Sequence, residues 1–281
     1  MDIRSTSYCA LLAQYPDFAA VHSPAEELPE WSYASPDAPG LAELRTRYGL
    51  LSLIEGMSEL DAILKLLEWA YGIVEHDGGA VNPEPRSAVN ILNACAVNRA
   101  AVNCRMKAIV LSEAYLSVGF RSRYVTCLPA EYDGDCHVIV LVYASSLGKW
   151  ISVDPTHNTF FTSADGAILN ILEARQIYWA GSAPSFRSID RPATGPLHCG
   201  GIDCATYDEF YEVYMCKNCF RFSCPIASEP GVDSRPDAQF VVLNPLGYTG
   251  DPGGEARIWG SRPLLVTHDA SHFLAKPPTR R

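Results

Sequence analysis

Three residues carry the chemical signal of this chain: Cys104, His137 and Asp154. They occur in Asn103-Cys104-Arg105-Met106-Lys107-Ala108, in Asp135-Cys136-His137-Val138-Ile139-Val140 and in Lys149-Trp150-Ile151-Ser152-Val153-Asp154-Pro155-Thr156, with gaps of 33 and 17 residues. A thiol attacks a carbonyl as its thiolate. A neighbouring imidazole takes the thiol proton and later delivers it to the leaving group. A carboxylate on the other ring nitrogen fixes the tautomer and orientation of that imidazole. Cys, His and Asp in this order point to acyl transfer through a thioester.

The surrounding pattern supplies elements that would position them. Ser58-Glu59-Leu60-Asp61 resembles a capping box, and Leu60, Ile63, Leu64, Leu67 and Tyr71 continue as a helical stripe stopped by Gly78-Gly79. A shorter helix is expected after Ser87, and a third from Cys104 to Gly119, whose glycine suits a left-handed C′ position. Cys104 would then sit where a helix presents unpaired N–H groups and the positive end of its dipole. Strands are expected from Phe120 to Leu128, from His137 to Tyr143 and from Lys149 to Val153, where Pro155 stops the run. Helices first and strands after them predict an α+β fold with an antiparallel sheet.

Pairing Tyr143 with Gly148 across Ala144-Ser145-Ser146-Leu147 sets His137 directly opposite Asp154 on one sheet face. Taken singly, each residue has an ordinary structural role as a core thiol, a hydrogen-bonded histidine or a turn aspartate. Their joint order and setting favour chemistry. Cys136 points to the opposite sheet face from His137, Cys127 lies in a strand and Cys95 on a helix, so none has the setting of Cys104. The Cys104 backbone N–H is a natural oxyanion donor. A second donor is expected from Asn98, Asn103 or a residue upstream, with capping of the helix as the alternative role of Asn103.

The chain has 281 residues, is 48% hydrophobic and 19% charged, and carries a formal net charge of −10. Such a chain can bury a core without disulfides, and its acidity argues against nucleic acid or an anionic membrane as partner. No apolar run is long enough to span a bilayer, and the first residues show no secretory pattern, so a cytoplasmic protein with reduced thiols is expected. Arg outnumbers Lys and Ala, Gly and Pro are frequent, as in GC-rich bacterial genomes.

Residues 1–40 read as an irregular N-terminal arm, 41–180 as the catalytic core and 181–281 as a C-terminal extension packed on it. The extension holds a plausible helix capped by Thr206 and strand candidates at 240–243 and 264–266. It also holds Cys199, Cys204, Cys216, Cys219 and Cys224. Cys216 and Cys219 have half of a zinc-site spacing, but the partner half is poor, and buried free thiols are the expected role. No metal and no cofactor is expected.

The motifs quoted above resemble those of the transglutaminase-like superfamily, together with Gly119-Phe120-Arg121-Ser122-Arg123-Tyr124-Val125 and Cys136-His137-Val138. The motif-bearing match spans about 88–160. The helix from Ser58 and Val74-Glu75-His76-Asp77-Gly78 look like the lead-in of bacterial relatives, and the tail matches loosely through Lys217-Asn218-Cys219-Phe220-Arg221-Phe222. The resemblance implies a papain-like α+β core and triad roles for Cys104, His137 and Asp154. It leaves the reaction open among hydrolysis of a peptide or amide, formation of an amide in biosynthesis, and binding without catalysis on the same fold. Retention of all three residues favours an enzyme acting on a peptide, amide or thioester, and water as acceptor is preferred because it needs no second binding site. Oligomeric state is not legible.

Overall fold

A computed structural model describes residues 7–19, 28–98, 100–189 and 195–278. In chain order, α1 (Ser7–Ala13) and β1 (Ser32–Tyr33) precede five helices: α2 (Pro39–Arg47), α3 (Leu50–Leu53), α4 (Glu59–Ile73), α5 (Ala88–Asn98) and α6 (Cys104–Val118). Three strands follow, β2 (Ser122–Leu128), β3 (His137–Ala144) and β4 (Lys149–Val153), and then β5 (Phe161–Thr162), α7 (Ile171–Trp179) and β6 (Ser185–Phe186). The remainder comprises β7 (Leu197–Cys199), β8 (Ile202–Cys204), α8 (Tyr207–Asn218), β9 (Arg221–Pro225), β10 (Ala227–Ser228), β11 (Phe240–Leu243), α9 (Pro252–Trp259), β12 (Leu264–Thr267) and α10 (Ala270–Phe273). The fold is α+β, as the order of elements predicts.

Local chemistry explains the boundaries that matter. Ser58 Oγ accepts from Asp61 N at 3.2 Å and starts α4. That helix ends at Ile73, several residues before Gly78-Gly79, because Val74 is already extended and the following residues bridge to the segment before α6: Val102 N donates to Glu75 O at 2.9 Å, and Asp77 N to Val102 O at 2.9 Å. Gly119, with φ of 100°, ends α6 in left-handed geometry. Asn170 forms a full capping box with Glu173, which starts α7 at Ile171. Thr206 Oγ1 accepts from Glu209 N at 3.1 Å and starts α8, as expected.

Six strands form the central sheet in the order β12-β11-β9-β2-β3-β4. Every neighbouring pair is antiparallel except β11 and β12, which are parallel and joined through α9 as a crossover requires. Along β3, Val138, Val140, Val142 and Ala144 enter a core shared with α4, α5 and α6. Ile139, Leu141 and Tyr143 enter a second core shared with α1, α7 and α8. The sheet is thus buried on both faces, which is why its strands read as continuous apolar runs.

Two sequence-derived boundaries change. The lead-in 1–40 is not wholly irregular: α1 buries Cys9 and Leu12 in the second core, and β1 pairs with β10, while residues 1–6 and 20–27 lie outside the described residues. The extension from 181 does more than pack on the core, because β9 hydrogen-bonds to β2 and continues the same sheet through β11 to β12. Propensity could not show this, since β9 is five residues long and only two residues separate it from the end of α8.

Candidate active site

Asn103 is the N-cap of α6, and its Oδ1 accepts from Met106 N at 3.1 Å. Its Nδ2 donates to Asn82 Oδ1 at 2.8 Å and to Ala80 O at 3.4 Å. Both ends of that amide are engaged in fixing the helix start against the 80–82 loop, which is the capping alternative to an oxyanion role. Cys104 is the first residue of α6 and is half-buried, with Sγ 3.9 Å from Cys136 O. One turn on, the buried Lys107 Nζ donates to Tyr71 O at 2.7 Å, tying the first turn of α6 to the end of α4.

His137 opens β3 and Asp154 follows the last residue of β4. Their register differs from the sequence-derived one by two residues: Ala144 pairs with Lys149 and Val140 with Val153. Ser145-Ser146-Leu147-Gly148 is the turn, with Gly148 at φ of 64° closing it in left-handed geometry. A glycine needed inside the turn cannot pair with Tyr143, which is the reason for the shift. A shift of two preserves the face, so Asp154 still lies on the side of His137, as a diagonal neighbour. Beyond Val153 the chain leaves β3, and Asp154 pairs its backbone with Thr159.

His137 Nε2 and Asp154 Oδ2 lie 2.6 Å apart, and each side chain is 2% exposed. Asp154 Oδ1 accepts from Thr156 N at 2.8 Å, so both carboxylate oxygens are held. With Nε2 committed to the carboxylate, Nδ1 is the ring nitrogen that remains, and the Cys104 sulfur is close enough to act on the charge of the imidazole. Burial alone would push His137 toward the neutral form, but the charge and hydrogen bond of Asp154, with the Cys104 sulfur, outweigh it and raise the imidazole to about 10. Burial would likewise raise Asp154, yet the His137 charge and hydrogen bond, helped by His157 and the Thr156 N–H, hold it well below the usual carboxylate range. Burial pushes the Cys136 thiol up to about 12 and raises that of Cys127 strongly.

Cys104 and His137 line a cleft of about 720 Å³, a size suited to a small ligand or a peptide segment. Its floor includes Cys104 and His137; one wall comes from the 76–82 loop and another from α8. The segment leading to His137 is clamped by the extension. Tyr214 Oη donates to Asp135 Oδ1 at 3.0 Å and to Cys136 O at 3.1 Å, and Lys217 Nζ contacts Asp133 Oδ2 at 2.8 Å. Tyr132 N donates to Asp251 Oδ2 at 2.8 Å. Beside Cys104, Arg105 and Arg86 converge on the buried Asp233, which also accepts from Tyr124 Oη at 2.7 Å. None of these partners has a local sequence signature. His157, three residues after Asp154 and 5.6 Å ring to ring from His137, was within reach of the motif itself.

Among the described residues, the side chains that gather as metal-ligand types are His137, Asp154 and His157, with ligand atoms within 4.8 Å of one another. Cys199, Cys204, Cys216, Cys219 and Cys224 do not join in such a group. Cys216, Cys219 and Cys224 are buried among the aromatics of the second core.

Residues 53–155 match the family model of the transglutaminase-like superfamily, a span that holds Cys104, His137 and Asp154. No match was found among curated proteins. Two solved structures are similar. A candidate cysteine protease from Cytophaga hutchinsonii is 19% identical with a TM-score of 0.34, over 54% of this chain and 49% of that one. A candidate protease from Parabacteroides distasonis is 12% identical with a TM-score of 0.27, over 42% of this chain and 29% of that one. The chain thus spans about half the length of the first of these and less of the second. No helix among the described residues is long and apolar enough to cross a membrane. The segment 53–155 is thus similar to the core of the transglutaminase-like superfamily.

Proposed function

We propose that this protein is a thiol enzyme that transfers an acyl group through a thioester on Cys104, with water as acceptor and a peptide or amide as donor. The observation that carries the reading is the bond from His137 Nε2 to Asp154 Oδ2 at 2.6 Å, which leaves the other ring nitrogen for Cys104 in the same cleft. That is the arrangement in which a base is oriented by one neighbour and activates another.

In this scheme the Cys104 thiolate attacks the carbonyl carbon and forms the S–C bond. The charge that develops on oxygen faces the start of α6, where the Cys104 N–H is a suitable donor. Asn103 supports it by holding that helix start. The His137 imidazolium gives its proton to the departing amine as the C–N bond breaks. Water then attacks the thioester while His137 takes its proton, and the tetrahedral species collapses to a carboxylic acid and the free thiol. Asp154 stays ionised throughout. The parts named in 41–180 and the extension act as one unit, since the clamp on the 131–136 segment comes from α8 and α9.

The test is to trap the acyl-enzyme. Incubation with a lysate at short times, followed by peptide mass analysis, is expected to find an acyl adduct on Cys104 that is absent in Cys104→Ala. Adducts distributed over other cysteines would contradict the reading, and an amine-linked product of the same acyl group would change the acceptor from water to an amine.

A further inference from the structure

Helix α8 presents Tyr207, Phe210 and Tyr214 at i, i+3 and i+7, which places them on one helical face. All three are half-buried and line the cleft that holds Cys104 and His137. Their rings form a continuous run. Tyr207 and Phe210 are 6.3 Å apart edge to face, and Phe210 and Tyr214 stack at 5.4 Å with planes only 12° apart. Tyr214 in turn meets the His137 ring edge-on at 5.3 Å. The run therefore leads directly to the base.

Its inner end is rigid. The Tyr214 hydroxyl bonds to Asp135 Oδ1 and Cys136 O, the two residues before His137, which fixes the ring plane as well as the loop. The lining contributed by the 76–82 loop is different in kind, with the polar His76, Asp77 and Asn82. A large apolar group placed against the α8 face strands fewer polar atoms than one placed against that loop. Tyr207, Phe210 and Tyr214 all lie beyond the 53–155 core, so the wall belongs to the extension.

We infer that the α8 face is the subsite for an aromatic side chain on the acyl donor, adjacent to the carbonyl that Cys104 attacks. This rests on the proposed thioester chemistry and names the substrate class for the same site: a peptide or amide whose acyl residue is Phe-like. An aromatic ring is favoured over an aliphatic group because the parallel pair Phe210 and Tyr214 offers ring faces and edges at which offset or edge-to-face contacts form in addition to burial.

The test uses the full chain and two matched affinity labels, N-acetyl-phenylalanyl and N-acetyl-alanyl chloromethyl ketone, in which the Cys104 sulfur displaces chloride. Iodoacetamide, which has no side chain to place, is run beside them as the measure of thiol reactivity. The phenylalanyl label is expected to alkylate Cys104 at least about tenfold faster than the alanyl label. In Phe210→Ala that ratio should fall toward one, and because it is a ratio, any general loss of reactivity cancels. Equal rates in the unsubstituted protein, or a preference that survives Phe210→Ala, would overturn the inference while leaving the thioester reading intact. Slow iodoacetamide labelling of Cys104 would instead sink the thioester reading itself.

Discussion

The His137 imidazole and the Asp154 carboxylate meet at 2.6 Å in a site where each is 2% exposed. Two such groups can share a buried site only as a pair, because the desolvation of either one alone is uncompensated. Replacing Asp154 with Asn keeps the shape but removes the charge that fixes the imidazole. Turnover, or the labelling rate of Cys104 as its proxy, is expected to fall by about 10²- to 10⁴-fold. Asp154→Ala should also cost about 3–5 kcal/mol of stability, measured by denaturant unfolding, because it strands a buried imidazole.

The same pair sets a pH window for stability. His137 is raised from its ordinary 6.5 to about 10, so its contribution is complete below 6.5 and is lost as pH rises through about 10. Asp154 is lowered from its ordinary 3.8, so its contribution is present above 3.8 and is lost as pH falls further. The melting-temperature advantage of the unsubstituted protein over Asp154→Asn should therefore be greatest between about pH 4 and 6.5 and should shrink toward pH 10. An advantage that grows with alkalinity would contradict the assignment of an imidazolium–carboxylate pair.

Asn103 bears on the helix start. Asn103→Ala removes the acceptor for Met106 N and is expected to cost about 1 kcal/mol by chemical denaturation, with slower labelling of Cys104. Asn103→Ser restores a capping oxygen and should recover most of the stability, though not the bond to Asn82.

Gly254 tests the clamp on the segment before His137. A Cβ there would fall 2.5 Å from Tyr132 Cβ and 2.0 Å from Asp251 Oδ2. Asp251 Oδ2 is the oxygen that holds Tyr132 N, so Gly254→Ala forces that contact apart. A loss of about 1–3 kcal/mol is expected on unfolding, with reduced labelling of Cys104, roughly 30 residues before the clamped loop in sequence.

Much of the core was legible because its signals are local. The Ser58 cap, the helix from Cys104 to Gly119 and the strand opened by His137 are each written in a few neighbouring residues. The register between β3 and β4 was misread by two because the placement of Gly148 inside the turn depends on backbone geometry that apolar alternation does not encode. The parity survived, and with it the proximity of His137 and Asp154. The extension was read least well. Tyr214 finds Asp135 from 79 residues away and Asp233 finds Arg105 from 128, and neither partner carries a spacing that marks it. Likewise β9 joins the sheet through pairing with β2, a relation that exists only once the chain has folded.

The central claim is that His137 activates Cys104. Its most direct test is the rate of iodoacetamide alkylation at Cys104 near neutral pH, followed by peptide mass analysis in the unsubstituted protein and in His137→Ala. The account predicts labelling of Cys104 well ahead of every other cysteine, and a fall of at least about tenfold in His137→Ala. Equal rates in the two proteins, or faster labelling of another thiol, would contradict it.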